Sequence, residues 1–561
     1  MALLAERLAS SERASELRAL AAGWRSWTLT PSELCDLELL LTGAFAPLTG
    51  FQSRADVESV CATMRMANGT LWPIPVTLDV DASVARALGA GERLALRDPE
   101  GVLLASLEVE DVWQIDRVAE ARAVFGTVDP AHPGVAAMLA LGATWTVGGS
   151  VEGVELPRHD DFRSLRLTPA ETRARITALG WTRTVAFQTR NPMHRAHYAL
   201  TRRAADAVGA GLLLHPVAGV TKPGDIDYYT RVRCYEKVLP HYPTGGAMLA
   251  ILPLAMRMAG PREALWHGLI RRNFGCTHLI VGRDHAGPGA DASGRPFYPP
   301  YAAQELVRQH EAELGITMVP FSEMAYDAER GAYVAEEEIG PTSRVLSLSG
   351  TELRRRLQRG EEIPEWFTFP DVADELRRTH PPRSRQGLTV FFTGLSGAGK
   401  STIASALRAR LLERGGRQVT LLDGDVVRQH LSSELGFSRA HRDLNIQRVA
   451  FVAAEVTRHG GTAICAPIAP YDAARRDARR AVEAHGGFVL VYVSTPIAAC
   501  EARDRKGLYA KARAGLVPSF TGVSDPYEPP TDAEVVIDTS AIDRDPAVNT
   551  VIAFLEHAGY V

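Results

Sequence analysis

The sequence lacks any marked excess of one charge: 62 basic and 66 acidic side chains leave a formal net charge of −4 over 561 residues. That balance excludes a general attraction to nucleic acid or to an anionic membrane surface, although a local basic site can still hold an anion. It also lacks paired cysteines. The six, Cys35, Cys61, Cys234, Cys276, Cys465 and Cys500, are scattered with no C-x-x-C spacing. This argues against a zinc ribbon or a disulfide framework and fits the reducing cytoplasm. Unbroken apolar runs of membrane length are missing too. One uncharged stretch, Ala131 to Val151, is interrupted by Pro133 and by several Gly, Thr and Ser. It reads as a short helix, a turn and a strand rather than a span. The N-terminal stretch MALLAERLASSERASELRAL carries charges throughout and has no apolar core of the signal type, so no leader is expected. There is no internal repeat and no long low-complexity segment. What is present is a globular composition, 46% apolar and 23% charged, in a chain long enough for three or four domains.

The order of patterns predicts an α/β protein. Residues 1–165 show irregular strand signals such as WPIPVTLDV and RLALRD with many turn residues, as in a mixed, β-rich domain. From about Leu167 short apolar runs (TVAF, LLLHPV, MLAILPL, HLIVG) alternate with helical patterns (HYALTRRAADAV, PREALWHGLIRRN). Such alternation predicts a doubly wound parallel sheet over 166–325. A charged stretch, 326–380, ends in FPDVADELRRTH, and HPPRSRQG, residues 380–387, reads as a linker. A second strand–helix alternation fills 387–561.

That last segment opens with the most specific motif. GLSGAGKS, Gly394 to Ser401, fits G-x-x-x-x-G-K-[ST]; it follows the apolar run LTVFFTG and opens the helix STIASALRARLLERG. Glycines let backbone N–H groups curl round a phosphate, and the helix N-terminus adds positive potential. Gly394, Leu395, Ser396, Gly397, Ala398, Gly399, Lys400, Ser401 and Thr402 are therefore the expected ATP-binding residues. Lys400 reaches the β/γ-phosphates, and the Ser401 hydroxyl serves the Mg²⁺ that accompanies ATP. VTLLDGDVVR places Asp423 and Asp425 at the end of an apolar strand, where a carboxylate can serve the metal or orient an acceptor hydroxyl. With LGFSRAHRDLNIQR, APIAPYDAARRDAR, RDRKGLYAKARAG and FTGVSDPYEPP in the same order, residues 387–561 resemble adenylylsulfate kinase. The resemblance implies a P-loop kinase domain that phosphorylates the 3′-hydroxyl of adenylyl sulfate. It assigns Asp423 to the acceptor side, and Asp425, Arg428, Arg442, Asn445 and Ile468 to adenylyl sulfate. Phe437 and Phe520 become its adenine clamp, and Lys506 part of a mobile lid. His441 and Ala469 depart from the common Asp and Ser, and Ser438, phosphorylated in some relatives, is given no such role.

In the first alternation, FQTRNPMHRAHYAL (187–200) raises a choice. His194 and His197 could bind a metal, but the spacing is i, i+3, no Glu lies between them and no Cys neighbours help. Alternatively they grip a phosphate. The motif follows an apolar strand, where ligands bind in such sheets, and Gln188, Arg190 and Asn191 offer donors to an oxyanion. LIVGRDHAGPG supplies a second strand-end loop with Gly282, Arg283, Asp284, His285 and Ala286, and LSLSGTELRRRL a third segment with Ser349, Gly350 and Thr351. Together with LTGAFAPLTGF, HPVAGVTKPGDIDYYTRVRCYE and SLSGTELRRRLQRGEEIPEWFTFP, these make residues 1–380 similar to ATP sulfurylase (sulfate adenylyltransferase). The resemblance implies a PUA-like domain over 1–165, a Rossmann-like nucleotidyltransferase domain over 166–325, and a small connecting domain over 326–386. Sulfate then falls to Gln188, Arg190 and the Ala286 backbone. Thr189, Arg190, Asn191, His194 and His197 act at the reacting centre, and Gly282, Arg283, Asp284, His285 and Met324 hold ATP. Arg257 is a further basic candidate near pyrophosphate. Tyr198 stands where many relatives carry Glu.

Both motif sets in one chain imply a bifunctional sulfate adenylyltransferase and adenylylsulfate kinase. Its partners are ATP, sulfate and adenylyl sulfate, with no nucleic acid and no membrane. Its cofactor is Mg²⁺ with no protein-held zinc, and its assembly a homo-oligomer, dimer or hexamer. The alternative is that one half is regulatory, as in fungal relatives with a kinase-like allosteric domain, or that the sulfurylase runs in reverse.

Overall fold

The computed structural model describes residues 6–141, 145–221, 225–321, 323–340, 343–504 and 507–561. The chain divides into two compact units, Met1–Leu348 with Pro364–Glu375, and Ser349–Ile363 with Leu376–Val561.

In the first unit a six-stranded sheet comes first. Its strands run in the order Arg25–Thr28, Arg93–Arg97, Leu103–Gln114, Trp145–Gly153, Gly50–Phe51, with Leu78–Val80 also paired to Trp145–Gly153. All pairs are antiparallel except Arg25–Thr28 with Arg93–Arg97. The uncharged stretch forms the helix Pro133–Ala140 and the strand Trp145–Gly153; among the described residues no helix is long and apolar enough to cross a membrane. A five-stranded, all-parallel sheet follows, in the order Thr317–Pro320, His278–Val281, Thr184–Phe187, Gly211–Leu214, Ala247–Leu249. Its first strand in the chain, Thr184–Phe187, lies inside, with the next two strands on one side and the last two on the other. The connections therefore reverse direction between Thr184–Phe187 and His278–Val281. Ligands of such parallel sheets bind at the C-terminal strand ends where the connections reverse.

The sequence starts its helices with local chemistry. Thr30 and Thr168 each form a capping box with the Glu three residues on, Glu33 and Glu171, and each is followed by Pro at the first helical position. One core runs through residues 1–165 and 166–325 without a break. At its centre Phe45 packs 5.6 Å from Trp72 and 5.1 Å from Trp266. Asn273 Nδ2 donates to the carbonyls of Ala44 and Ala46 at 2.9 and 2.8 Å. A three-stranded antiparallel sheet, Ala332–Ala335, Met324–Asp327, Val345–Leu346, completes this unit.

The second unit is a five-stranded parallel sheet in the order Val419–Asp423, Thr462–Ala466, Leu388–Thr393, Gly487–Val493, Val535–Ile537. The strand Leu388–Thr393 is buried at every position, and its side chains divide between two cores with the period of two that a strand imposes. Leu388, Val390 and Phe392 meet Leu407, Leu411, Val551 and Leu555 from the helices Lys400–Arg414 and Arg544–His557. Phe391 meets Val449, Ala453, Ala478 and Val482 from Arg439–Arg458 and Asp472–Glu483. Helices on both faces of parallel sheets bear out the expected α/β class. The stretch expected as a linker is anchored in this unit: Arg417 donates to the carbonyls of Arg383, Ser384 and Gln386 at 3.1, 2.9 and 2.9 Å.

Candidate active sites

In the first unit the loop after Phe187 and the loop after Val281 are held together. Arg190 Nη2 donates to Gly287 O at 3.1 Å, and its Nε lies 3.3 Å from Asp225. The Arg190 and Asn191 carbonyls accept from Arg231 (2.9 Å) and the Tyr235 hydroxyl (2.8 Å), while Thr189 Oγ1 accepts the Asn191 N–H at 3.1 Å. Gln188, Thr189, Arg190, Gly287 and its neighbour Ala286 thus come to one place. Ala286 sits at a φ of 54°, a left-handed conformation that is strained for a residue with a Cβ. His285 is buried, its Nε2 2.9 Å from His267 Nδ1, and His267 lies 3.5 Å from Glu263. Arg283 pairs with Glu323 at 3.1 Å, and the next residue, Met324, opens the strand Met324–Asp327.

The helix begins at Arg195, with His194 as its N-cap. The His194 N–H donates to His197 Nδ1 at 3.2 Å. A ring nitrogen that accepts carries no proton, so the neutral His197 ring carries its proton on Nε2. An Nε2–H donates to an oxyanion and has no lone pair for a metal. His194 Nδ1 lies 3.0 Å from Thr368 Oγ1, and its ring is 4.4 Å from that of Phe367. Burial, helped by the neighbouring His197, pushes His194 down to about 3, and burial pushes His197 down to about 4. Both rings are neutral at pH 7. Among the described residues no three His, Cys, Asp or Glu side chains gather as a metal-ligand set.

His215 is fully buried, neither ring nitrogen has a hydrogen-bond partner, and burial holds it well below its ordinary value. Below pH 6.5 the unfolded chain therefore binds a proton here that the folded chain refuses. Stability is complete above that pH and falls as pH drops toward the folded value, by about 1.4 kcal/mol per pH unit for one ring. His215→Met is expected to remove that slope between pH 6 and 5, read as the difference in denaturant midpoint from the parent at each pH. An unchanged slope would mean that His215 takes up its proton in the fold.

Two further side chains near the motifs have protein partners of their own. Arg257 is committed to Asp36 at 2.5 Å and to Ala255 O at 2.7 Å, with its guanidinium over the Trp266 ring, so its charge is already compensated. Tyr198 turns to an aromatic cluster, its ring 4.7 Å from Tyr242 and its hydroxyl donating to His241 O at 2.9 Å. Ser349 caps the helix Gly350–Arg359, accepting the Glu352 N–H at 3.1 Å, and that segment belongs to the second unit. Sequence reading missed Asp225, Arg231, Tyr235, Thr368 and the buried Glu263, His267 and Arg271. The last three had a visible signal: ionisable residues at i, i+4 and i+8 of an expected helix, PREALWHGLIRRN.

In the second unit Gly394, Gly397 and Gly399 take φ of 146°, 75° and 102° between the strand Leu388–Thr393 and the helix Lys400–Arg414. A Cβ on Gly394 would stand 2.5 Å from Val493 O, so both conformation and space require glycine there. Ala398 O accepts from Thr539 Oγ1 at 2.8 Å, and Ser396 O from the Tyr509 hydroxyl at 2.9 Å. Lys400 is buried and donates to Gly394 O and Leu395 O at 2.9 and 2.8 Å; Ser401 and Thr402 are exposed at the start of the helix. Ile468 O accepts the Gly394 N–H at 3.3 Å, joining the PIAPY loop to the P-loop. Asp423 ends the strand Val419–Asp423; its Oδ1 accepts the Asp425 N–H at 3.1 Å, and its Oδ2 is buried without a hydrogen-bond partner.

Arg442 has a different placement from a bare anion-binding arginine. Its Nε donates to Phe437 O at 2.8 Å, and its other nitrogens bond Thr521, Ser519 O and Asp525. One buried guanidinium thus ties the backbone at Phe437 to both sides of Phe520. Phe437 is exposed with Arg428 4.6 Å above its ring, whereas Phe520 is half-buried against Tyr509. Asn445 is buried with its Oδ1 unpartnered. Lys506 lies outside the described residues.

Each unit therefore has a parallel sheet with phosphate-type loops at strand ends, the arrangement of a nucleotide-using transferase, and the two differ in loop chemistry. The PUA-like domain model matches residues 2–156, the ATP-sulfurylase model 163–379, and the adenylylsulphate kinase model 386–538. Sulfate adenylyltransferases of Phaeosphaeria nodorum and Mycosarcoma maydis are 52% and 51% identical, over 98% and 97% of this chain and 96% of each relative. The solved structure of a hexameric APS kinase from Thiobacillus denitrificans superposes with a TM-score of 0.82 at 40% identity, covering 100% of this chain and 98% of that one. The chain belongs to the sulfate adenylyltransferase family and carries an adenylylsulfate kinase domain after it.

Proposed function

We propose that the chain activates sulfate in two steps, each in its own unit. In the first, a sulfate oxygen attacks the α-phosphorus of ATP; the bond from that phosphorus to the bridging oxygen breaks, and pyrophosphate leaves with adenylyl sulfate formed. Sulfate is a poor nucleophile, so placement and charge stabilisation carry the rate. Gln188, Arg190 and the Ala286 backbone hold sulfate against the α-phosphate. Thr189 and Asn191 keep that loop in shape, and His194 and His197 donate to the phosphate oxygens as charge grows on them. Gly282, Arg283, Asp284, His285 and Met324 hold the nucleotide. The observation that carries this step is the joining of the two strand-end loops through Arg190 and Gly287 beside two neutral histidines.

In the second step the 3′-hydroxyl of adenylyl sulfate attacks the γ-phosphorus of a second ATP, releasing ADP and giving 3′-phosphoadenylyl sulfate. Gly394 to Thr402 cradle the phosphates, with Lys400 on the β/γ oxygens. The unpartnered Asp423 Oδ2 is placed to take the hydroxyl proton or to orient the hydroxyl. Asp425, Arg428, Phe437, Arg442, Asn445, Ile468, Phe520 and Lys506 form the adenylyl sulfate side. The exposed Ser401 hydroxyl and the bare Asp423 oxygen suit a Mg²⁺ carried by ATP, which neutralises phosphate charge when bound. Domains at 1–165, 166–325, 326–386 and 387–561, a cytoplasmic setting and a homo-oligomer complete the reading. A complete P-loop and a strand-end carboxylate with one oxygen unpartnered favour a working kinase over a purely regulatory second half.

Adenylyl sulfate formation is uphill, and its phosphorylation withdraws the product. The pure chain with ATP, Mg²⁺, labelled sulfate and pyrophosphatase is expected to yield labelled 3′-phosphoadenylyl sulfate. Label that stops at adenylyl sulfate would leave the second half regulatory, and no labelled nucleotide at all would remove the reading.

A further inference from the structure

The helix Pro261–Asn273 is almost wholly buried, yet one face carries Glu263, His267 and Arg271 at four-residue spacing, each 0% exposed. Polar groups reach such a position only with a task or a partner. Glu263 accepts the N–H groups of Arg257 and Ala259 at 3.1 and 2.8 Å, closing the turn that leads into its own helix. His267 supports His285 from behind the second loop. Arg271 reaches the first: its Nη2 donates to Gln188 Oε1, and to His215 O at 3.1 Å. Its Nε and Nη1 have no hydrogen-bond partner. The helix face thus props both loops of the site.

A glutamine amide has two ends. Its oxygen accepts and its NH2 donates, and a half-turn exchanges them at almost no cost unless a neighbour selects one. Arg271 can only donate, so it selects the oxygen. Gln188 Nε2 is then turned away from Arg271, where its protein partner is the Met256 thioether at 3.7 Å, a weak acceptor that leaves the donor available. We propose that Arg271 is a positioning residue of the oxyanion subsite: from beneath the loop it fixes the Gln188 amide so that its NH2, and not its carbonyl oxygen, meets a tetrahedral oxyanion. A flipped amide would set a carbonyl oxygen against sulfate and repel it. The inference rests on the proposed binding of sulfate by Gln188 and Arg190.

The test uses the full chain with Arg271→Met and Arg271→Lys, each alone and combined with Gln188→Ala, and reads adenylyl sulfate formation against sulfate and against ATP. Arg271→Met is expected to raise KM for sulfate about tenfold, the effect of losing one charge-assisted hydrogen bond, with KM for ATP changed less than about twofold. Arg271→Lys, which keeps a donor at the same place, recovers part of the loss. In the Gln188→Ala background the Arg271→Met effect shrinks to less than about threefold, because the amide it orients is gone. An equal rise in both KM values overturns the proposal, as does an undiminished effect in the Gln188→Ala background. Circular dichroism checks folding; if Arg271→Met does not fold, Arg271→Leu and Arg271→Lys carry the same comparison: a sulfate KM raised in Arg271→Leu and recovered in Arg271→Lys supports the proposal, and a rise equal for sulfate and ATP in Arg271→Leu overturns it. A parent chain that forms no adenylyl sulfate defeats the functional reading rather than this one.

Discussion

Replacing His194 by alanine is expected to lower adenylyl sulfate formation by about 10³-fold while leaving phosphorylation of supplied adenylyl sulfate within about twofold. The His194 ring is buried, neutral, and fixed by Thr368 Oγ1 at 3.0 Å and the Phe367 ring at 4.4 Å. When the Thr368 hydroxyl donates to Nδ1, the proton sits on Nε2, and a donor held in place before the reaction contributes more to a transition state with growing charge than to the ground state. The variant keeps the local fold, because the contact to His197 Nδ1 comes from the backbone N–H of residue 194, which alanine retains. The cost therefore falls on kcat rather than on the helix start. The measurement is pyrophosphate release with sulfate present, beside 3′-phosphoadenylyl sulfate formation from added adenylyl sulfate. Loss of both activities in a folded protein would contradict independent sites. Loss restored by zinc would return the metal reading of the two histidines.

The placement of the sites was legible wherever local pattern alone decides structure. TVAF and HLIVG are buried runs bounded by polar loops, and they became neighbouring strands whose ends carry the expected residues. The glycines of GLSGAGKS adopt the positive φ values that a phosphate loop needs. What pattern could not supply was long-range geometry. Residues 1–165 and 166–325 differ in texture, yet Phe45 and Trp72 pack on Trp266 across that boundary, since periodicity describes an element and not the surface it meets. Thr368 stands 174 positions from His194, and nothing local links them. Charge alone was incomplete for Arg257, which a buried Asp36 holds, and for Arg442, whose bonds go to the protein itself. A basic residue in a motif reports a donor; only the fold says which acceptor takes it.

Replacing Lys400 by alanine should do the reverse of the His194 change, cutting 3′-phosphorylation by about 10³-fold with adenylyl transfer within about twofold once pyrophosphate is removed enzymatically. Lys400 Nζ donates to two carbonyls of its own loop, Gly394 and Leu395, at 2.9 and 2.8 Å. These are neutral acceptors, weaker partners than phosphate oxygens, so the ammonium exchanges them for the β/γ-phosphates at a net gain. Alanine leaves the two carbonyls without that donor as well as the phosphates without their cation, so ATP affinity and turnover should both suffer. Arginine is not expected to rescue the variant: its planar fork is broader than the ammonium and would have to fit where Gly394 already lies against Val493 O. This result separates the two readings of the second half. A catalytic unit loses phosphoryl transfer and leaves sulfate activation alone, whereas a regulatory unit with no turnover to lose would register the change as an altered sulfate or ATP dependence in the first half.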